Sequence, residues 1–424
     1  MPIHTRIGVG WGVRRVMLAA TLLLASACLE VAHAQTLTLN DALLRALKYD
    51  LTLPAARSRV RGAEAGVRQA NKRLNPSVGA DIENFGGSGQ YGGFRSAQST
   101  LYLQQTIELG GKREARTDVA RSELGTVKAR STTRVLDMLR EVEIAWIDAA
   151  AATAQLRLAE ARLGIAQRLK DEIARRAQAG RDPLYVQARA DAQVSLEQIA
   201  VDQARANVRI ARTNVANYWR GRPDFDIDLT TFESTEIPAA GRFFNVDVAV
   251  AEAERDVAGA RVVLERTKAI PDPSVRLGVR RFNDTNDTAI VGGISIPLPL
   301  FDRNEGNIER AEAERKAAEL DLASVRRALR RELTRLQGRL LANATEARRI
   351  QSEAIPQAER SLQLIREGLE RGAFNYVEFV DAQRTLNDAR NRRIEALRAF
   401  NIDKAAVARL TGRHARLSNQ RGSR

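Results

Sequence analysis

The chain has 424 residues, of which 44% are apolar and 28% charged, with a formal net charge of +15. That length suits two or three domains or one large repeated architecture, and the apolar content argues against disorder throughout. Three His and one Cys leave little room for a metal enzyme or a disulfide scaffold, and 5% aromatics with 11 Pro suit long helices rather than a β-sandwich.

The N-terminus reads as an address. Arg6, Arg14 and Arg15 precede an apolar run from Val16 to Ala27, and Ala32-His33-Ala34 supplies a small-x-small site before Gln35. This predicts a secretory signal peptide over 1–34, cleaved after Ala34. The run falls short of the ~20 residues of a spanning helix. Leu24-Ala25-Ser26-Ala27-Cys28 offers a second reading, lipidation at Cys28, although Ala25 stands where such signals carry Leu. Export argues against nucleic acid as the partner of the positive charge, and no later stretch is apolar enough for a transmembrane helix.

The remainder is written twice. Asn75-Pro76-Ser77-Val78 recurs as Asp272-Pro273-Ser274-Val275, and Leu109-Gly110-Gly111-Lys112-Arg113 is echoed by Leu300-Phe301-Asp302-Arg303-Asn304. Trp219-Arg220-Gly221 matches Leu410-Thr411-Gly412, in the same order and at nearly the same shift. Repeats at one spacing imply duplicated units. The expected organisation is a first repeat over 35–221, a linker over 222–244, a second repeat over 245–412 and a basic tail over 413–424.

Each repeat predicts a helix, two strands, a very long helix, a tight loop and a returning helix. In the first, a helix is expected from Asn40 to about Arg73, where Asn75-Pro76 breaks it. Val78, Ala80 and Ile82 then alternate with Gly79, Asp81 and Glu83, and Leu101, Leu103 and Ile107 continue the alternation after a glycine-rich loop. Val275, Leu277 and Val279 against Arg276, Gly278 and Arg280 repeat the pattern, with a return over Ala289–Ile296. Alternation of this kind fits a membrane barrel as well as a soluble sheet resting on a core. Four strands cannot close a barrel, and an open edge in lipid would leave backbone groups unpaired. Membrane placement would therefore require several copies of the chain.

Lys112–Ala179 contains no Pro, and at 1.5 Å per residue an unbroken helix there is about 100 Å long. Asn304–Arg371, with one Pro at 356, predicts a helix of similar length. Leu139, Val142, Trp146 and Ala149 follow the 3-4-3 spacing of coiled coils, with Trp146 read as a core filler. The long helices end at Gly180-Arg181-Asp182 and Gly372-Ala373-Phe374, where glycine serves as a C-terminal cap. The segment around 221–242 shows no helical period.

The duplicated strand pairs, ~100 Å helical hairpins and signal peptide resemble the TolC family of outer-membrane efflux channels over nearly the whole mature chain. The run from Pro271 through Gly306, with Ile296-Pro297-Leu298-Pro299-Leu300-Phe301-Asp302-Arg303-Asn304, looks most like the CzcC branch, which serves cobalt-zinc-cadmium efflux. The resemblance implies a mainly α fold with a small β part, and a homotrimer whose strands close one barrel in outer-membrane lipid above a helical tunnel. It implies docking of a periplasmic adaptor at the tips (Gly180, Arg181, Asp182, Gly372, Ala373, Phe374) and an inner-membrane pump of the RND type. It places Glu378 and Asp381 in an acidic ring at the periplasmic entrance; the alternative is two ordinary helix-surface acids. Leu369 and Phe374 stand where some members carry a Tyr and Arg latch.

No G-x-S-x-G, H-E-x-x-H or P-loop occurs, so neither an enzyme nor a cofactor is expected. Channels for drugs or for type I protein secretion remain alternatives for cargo. A periplasmic coiled-coil adaptor is the alternative of another class, although an adaptor would carry one hairpin rather than two.

Overall fold

A computed structural model describes residues 35–237 and 245–415. The expected signal peptide with Cys28, part of the linker and most of the expected basic tail lie outside these residues. The elements are β1 (Gln35–Leu37), α1 (Leu39–Tyr49), α2 (Thr52–Ala70), β2 (Ser77–Glu83), β3 (Gln98–Thr106), α3 (Lys112–Gln178) and α4 (Leu184–Asn217). After β4 (Phe225–Ile227) and α5 (Thr230–Glu233) come α6 (Val246–Lys268), β5 (Ser274–Phe282), β6 (Thr288–Ser295), α7 (Glu305–Arg349), α8 (Ile355–Glu370) and α9 (Tyr376–Leu410).

Two long helices differ from expectation, each for a local reason. The helix expected over 40–73 is two helices. Asp50 turns extended and caps α1 through its N–H to the Ala46 carbonyl, while its carboxylate accepts from the Thr52 N–H at 2.7 Å. Pro54 then sits in the first turn of α2, where its missing N–H costs nothing. The helix expected over 304–371 is interrupted by a π-turn over Ile350–Ala354. Pro356 cannot donate within the ladder and its ring crowds the preceding turn; one widened turn just before it absorbs both effects. α3 runs unbroken for 67 residues, about 100 Å.

The linker is not featureless. β4 pairs in parallel with β1, Gln35 opposite Phe225 and Leu37 opposite Ile227, and α5 follows. These pieces cover the main core at the waist of the molecule, where Leu37, Leu139, Val142, Trp146, Ile147 and Phe232 are almost fully buried. Trp146 fills the core, and its indole N–H donates to the Leu37 carbonyl at 3.2 Å. The Asn401 amide donates to the carbonyls of Phe232 and Leu397, both at 2.9 Å, tying α9 to the same layer. The buried Trp146 and Asn401 donors are thereby satisfied.

Near the sheet the helices lie side by side in the order α2, α3, α6, α7; beyond the waist α3 pairs with α4 and with α9, and α9 with α8. The four-stranded sheet has the order β2-β3-β5-β6, antiparallel throughout. The two repeats thus contribute one hairpin each and join between β3 and β5.

Candidate functional site

Strand register sorts the sheet into two faces. Ala80, Leu101, Val279 and Ile290 form one row across all four strands, and Val78, Leu103, Leu277 and Gly292 form the next. Val78 is 72% exposed, Leu277 63% and Ile290 80%. A row of β-branched and leucine side chains left bare on this scale is a surface for lipid, not water. Among the described residues no helix is long and apolar enough to cross a membrane.

The opposite face is polar. Arg280 pairs with Glu83 at 2.7 Å and donates to the Thr100 hydroxyl at 2.9 Å, and Arg276 pairs with Asp81 at 3.4 Å. Both arginines reach over β3 to acids on β2. The Tyr102 ring lies under the Arg276 guanidinium, 4.7 Å away, and covers Gly79 on β2, while Gly278 on β5 faces the Tyr102 Cα and Cβ. A side chain at Gly278 would strike the Leu101 carbonyl at 2.6 Å. Each strand edge, β2 on one side and β6 on the other, has no partner among the described residues.

At the far end of α3 the two hairpin tips share one construction. Gly180 (φ 71°) and Gly372 (φ 77°) are left-handed C-terminal caps. The Gly180 N–H donates to Ala177 and the Arg181 N–H to Arg176, while Gly372 donates to Leu369 and Ala373 to Gly368. Both are Schellman motifs, so glycine at these positions is dictated by backbone geometry. The Phe374 ring folds over Gly368, where an added Cβ would meet it at 2.1 Å.

The tips are joined by a residue the sequence did not single out. Arg176 grips the Asp182 carboxylate at 2.7 and 3.2 Å and donates to the Leu369 carbonyl of the other tip at 2.7 Å. Its partner lies 193 positions away, so no local pattern announces it. Leu184 and Tyr185 are 78% and 71% exposed, giving the first tip an apolar surface beside exposed Phe374 and Val377 on the second. Arg181 is exposed and Asp182, held by Arg176, is partly buried. Beneath them Tyr376, Ile173 and Ala190 form a small core, with the Arg189 guanidinium 5.6 Å above the Tyr376 ring. Burial pushes the Tyr376 phenol above its usual range.

Glu378 and Asp381 lie on one exposed face of α9 but differ in freedom. The Glu378 carboxylate accepts from the Asn375 N–H at 2.8 Å while the Asn375 side chain accepts from the N–H groups of Val377 and Glu378. This capping box commits Glu378 to the helix start. The Asp381 carboxylate has no partner within the chain among the described residues. No cluster of three His, Cys, Asp or Glu side chains able to hold a metal occurs among the described residues.

The model of the outer membrane efflux protein family matches residues 42–219 and 244–413, both repeats. The chain belongs to that family. It is 28% identical over 387 residues to the cobalt-zinc-cadmium resistance protein CzcC of Cupriavidus metallidurans, covering 90% of this chain and 91% of that one. It is 30% identical over 314 residues to the nickel-cobalt-cadmium resistance protein NccC of Alcaligenes xylosoxydans xylosoxydans, covering 72% and 70%. Its fold matches the outer membrane protein VceC of Vibrio cholerae with TM-score 0.72 at 21% identity, over 88% of this chain and 96% of that one. It also matches CusC, with TM-score 0.71 at 16% identity, over 87% and 91%. The bare sheet face is therefore the outer-membrane face of an efflux protein, and the TolC-like architecture expected from the sequence is the one observed.

Proposed function

We propose that this efflux protein is the outer-membrane channel of a tripartite system exporting divalent heavy-metal cations. The observation that carries the cargo is the likeness to cobalt-zinc-cadmium and nickel-cobalt-cadmium resistance proteins over most of the chain. Three copies would close a twelve-stranded barrel, since the β2 and β6 edges cannot stay unpaired in lipid. The tips around Gly180, Arg181, Asp182 and Gly372, Ala373, Phe374 would receive a periplasmic adaptor, with Leu184 and Tyr185 as its apolar contacts, below which an RND-type pump supplies the driving force. The channel performs no chemistry on its cargo; it lines a path. At the entrance Asp381 would be the principal carboxylate of the ring and Glu378 the residue that holds the α9 start in place. A carboxylate ring favours cations without binding them tightly.

The test is growth of a strain lacking this gene on graded zinc, cobalt, cadmium and nickel, beside a panel of hydrophobic drugs. Metal sensitivity restored by the intact gene, and restored less fully by Asp381→Asn, supports the proposal. Drug sensitivity with unchanged metal tolerance would retain the channel and overturn the cargo.

A further inference from the structure

The surface that faces lipid does not stop where the sheet stops. On β6 the bare side chains include Ile290 and Ile294, and past its last residue the chain runs Ile296-Pro297-Leu298-Pro299-Leu300-Phe301. No side chain in this run carries a polar atom. All six residues are exposed, Leu298 by 74%, Leu300 by 68% and Phe301 completely. An apolar run of this length needs a cover other than water.

Its backbone bears on what that cover is. Pro297 and Pro299 have no N–H, and the Leu300 N–H donates to the Leu298 carbonyl at 2.9 Å, a γ-turn centred on Pro299. Half of the donors such a run would present are therefore missing or met locally. Lipid offers no hydrogen-bond partner, so chain outside the sheet enters a bilayer only where its donors are few. Those that remain can meet water and headgroups at the bilayer boundary, but not at its centre.

The first repeat shows the same junction when the chain covers itself. There β3 passes to α3 over 107–111, five residues, against nine over 296–304 between β6 and α7. The Leu109 N–H donates to the Asp272 carboxylate at 2.9 Å, Lys112 pairs with that carboxylate at 2.6 Å, and Arg116 holds Glu108. In the second repeat only the end of the junction is tied down. The Asn304 side chain donates to the Glu265 carbonyl at 2.8 Å and to its carboxylate at 3.0 Å. Between that tether and the sheet, the extra residues stand clear of the protein.

Charge around the run is sorted as at a membrane boundary. Arg303, two residues past Phe301, is exposed and has no partner within the chain among the described residues; the same holds for Lys72 and Arg73, which precede exposed Leu74. Cations beside aliphatic and aromatic side chains suit the level of lipid phosphates. Of the acids nearby, Asp302 accepts from the Asn304 N–H at 2.8 Å, and Glu305 stands in the first turn of α7, where the helix dipole offsets its charge.

We propose that residues 296–301 are a lipid anchor outside the barrel. Leu298, Leu300 and Phe301 enter the acyl boundary of a phospholipid leaflet, and Arg303 meets its phosphates. Continuity with the lipid face of β6 decides the partner. The leaflet is the periplasmic one, because every long helix leaves the sheet from this end.

The anchor presupposes that the sheet face meets lipid, so both are read in one experiment. Full-length Phe301→Trp, Leu277→Trp and Tyr185→Trp proteins are assembled in phosphatidylcholine–phosphatidylglycerol vesicles. The acyl chains carry bromine either next to the glycerol or near the bilayer centre, and bromine quenches indole emission. Trp146 and Trp219 are buried at the waist, so the signal is the emission added to that of the unsubstituted chain. The added emission of Phe301→Trp should be lost with shallow bromine and largely kept with deep bromine. Leu277→Trp, at mid-strand, should lose its emission to deep bromine, and Tyr185→Trp, at the tip, gives the unquenched baseline. Quenching of Leu277→Trp without quenching of Phe301→Trp overturns the anchor and leaves the lipid face standing, with the run covered by protein instead. An unquenched Leu277→Trp overturns both. Leaving out phosphatidylglycerol should weaken the shallow quenching of Phe301→Trp, and Arg303→Gln should remove that dependence; if the dependence persists in Arg303→Gln, the headgroup contact is overturned. Should Phe301→Trp fail to assemble, the unsubstituted chain is exposed to a phospholipid with a photoreactive group next to the glycerol. Adducts within 296–301 are expected, and adducts on β6 without them overturn the anchor.

Discussion

Val78, Leu277 and Ile290 in the sheet stand 72%, 63% and 80% exposed, whereas Leu37, Trp146 and Phe232 at the waist are at most 1% exposed. The residue types are alike and the surroundings reversed. At the waist, water is driven out by packing, and β1, β4 and α5 exist to complete the cover. In the sheet, the apolar face is left for lipid and the charges turn the other way, where Arg276 and Arg280 find acids across β3. One chain therefore folds against two solvents, and each half fails by a different insult.

The largest effect belongs to the waist. Trp146→Ala removes a buried ring and its bond to the Leu37 carbonyl, and should cost about 3–5 kcal/mol in chemical denaturation of the purified protein. The same substitution at an exposed sheet position such as Val78→Ala should be nearly silent in that assay. Equal losses would erase the contrast. Next comes Leu277→Arg, on the lipid face of β5, expected to cost about 2–4 kcal/mol in folding into vesicles. Arginine at neighbouring position 276 is native and faces the other way. If Leu277→Arg folds into vesicles as well as the native chain, the face assigned to lipid is wrong.

A third pair of variants sharpens the sheet itself. Gly79 and Gly278 flank Tyr102, but an added Cβ meets different obstacles. At Gly79 it meets the far end of the Tyr102 ring, which can swing; at Gly278 it meets the Leu101 carbonyl, which cannot. Gly278→Ala should therefore cost about 1–3 kcal/mol and Gly79→Ala clearly less, read in the same vesicle assay. The reverse order would mean that Tyr102, not the backbone, sets the spacing.

What could be read from the sequence follows the range of the forces involved. Period-two alternation gave the strands within a few residues, and the absence of Pro gave α3 its full length. Gly180 and Gly372 were legible as helix ends because a Schellman motif is a local requirement. The break at Asp50 was local too, an Asx cap followed by Pro54, but the apolar period continues through it and hides it. Asn375-x-x-Glu378 is a capping-box spacing, a local signal for the start of α9 that sequence reading passed over. β1 and β4 are three residues each and pair across 190 positions, so neither has a period to detect. Arg176 is invisible for the same reason, because its role is set by a carbonyl on the other hairpin.

The smallest effect tests the boundary between the two regimes. Asp403 on α9 is buried, 3.1 Å from Arg339 and from the Asn343 amide of α7. Burial raises its carboxyl above the ordinary range, against the opposing pull of Arg339 and Arg335. A raised acid binds its proton more tightly folded than unfolded. Its contribution to stability is therefore fully present below the ordinary carboxylate value and falls away as pH climbs through the raised one. Asp403→Asn mimics the protonated form. At neutral pH it should unfold no earlier than the native chain, by thermal melting, and the difference should close in acid, where both carry a neutral side chain. Earlier melting of Asp403→Asn at neutral pH would mean that the Arg339 pair outweighs burial, and that the waist, like the polar face of the sheet, is held by its charges.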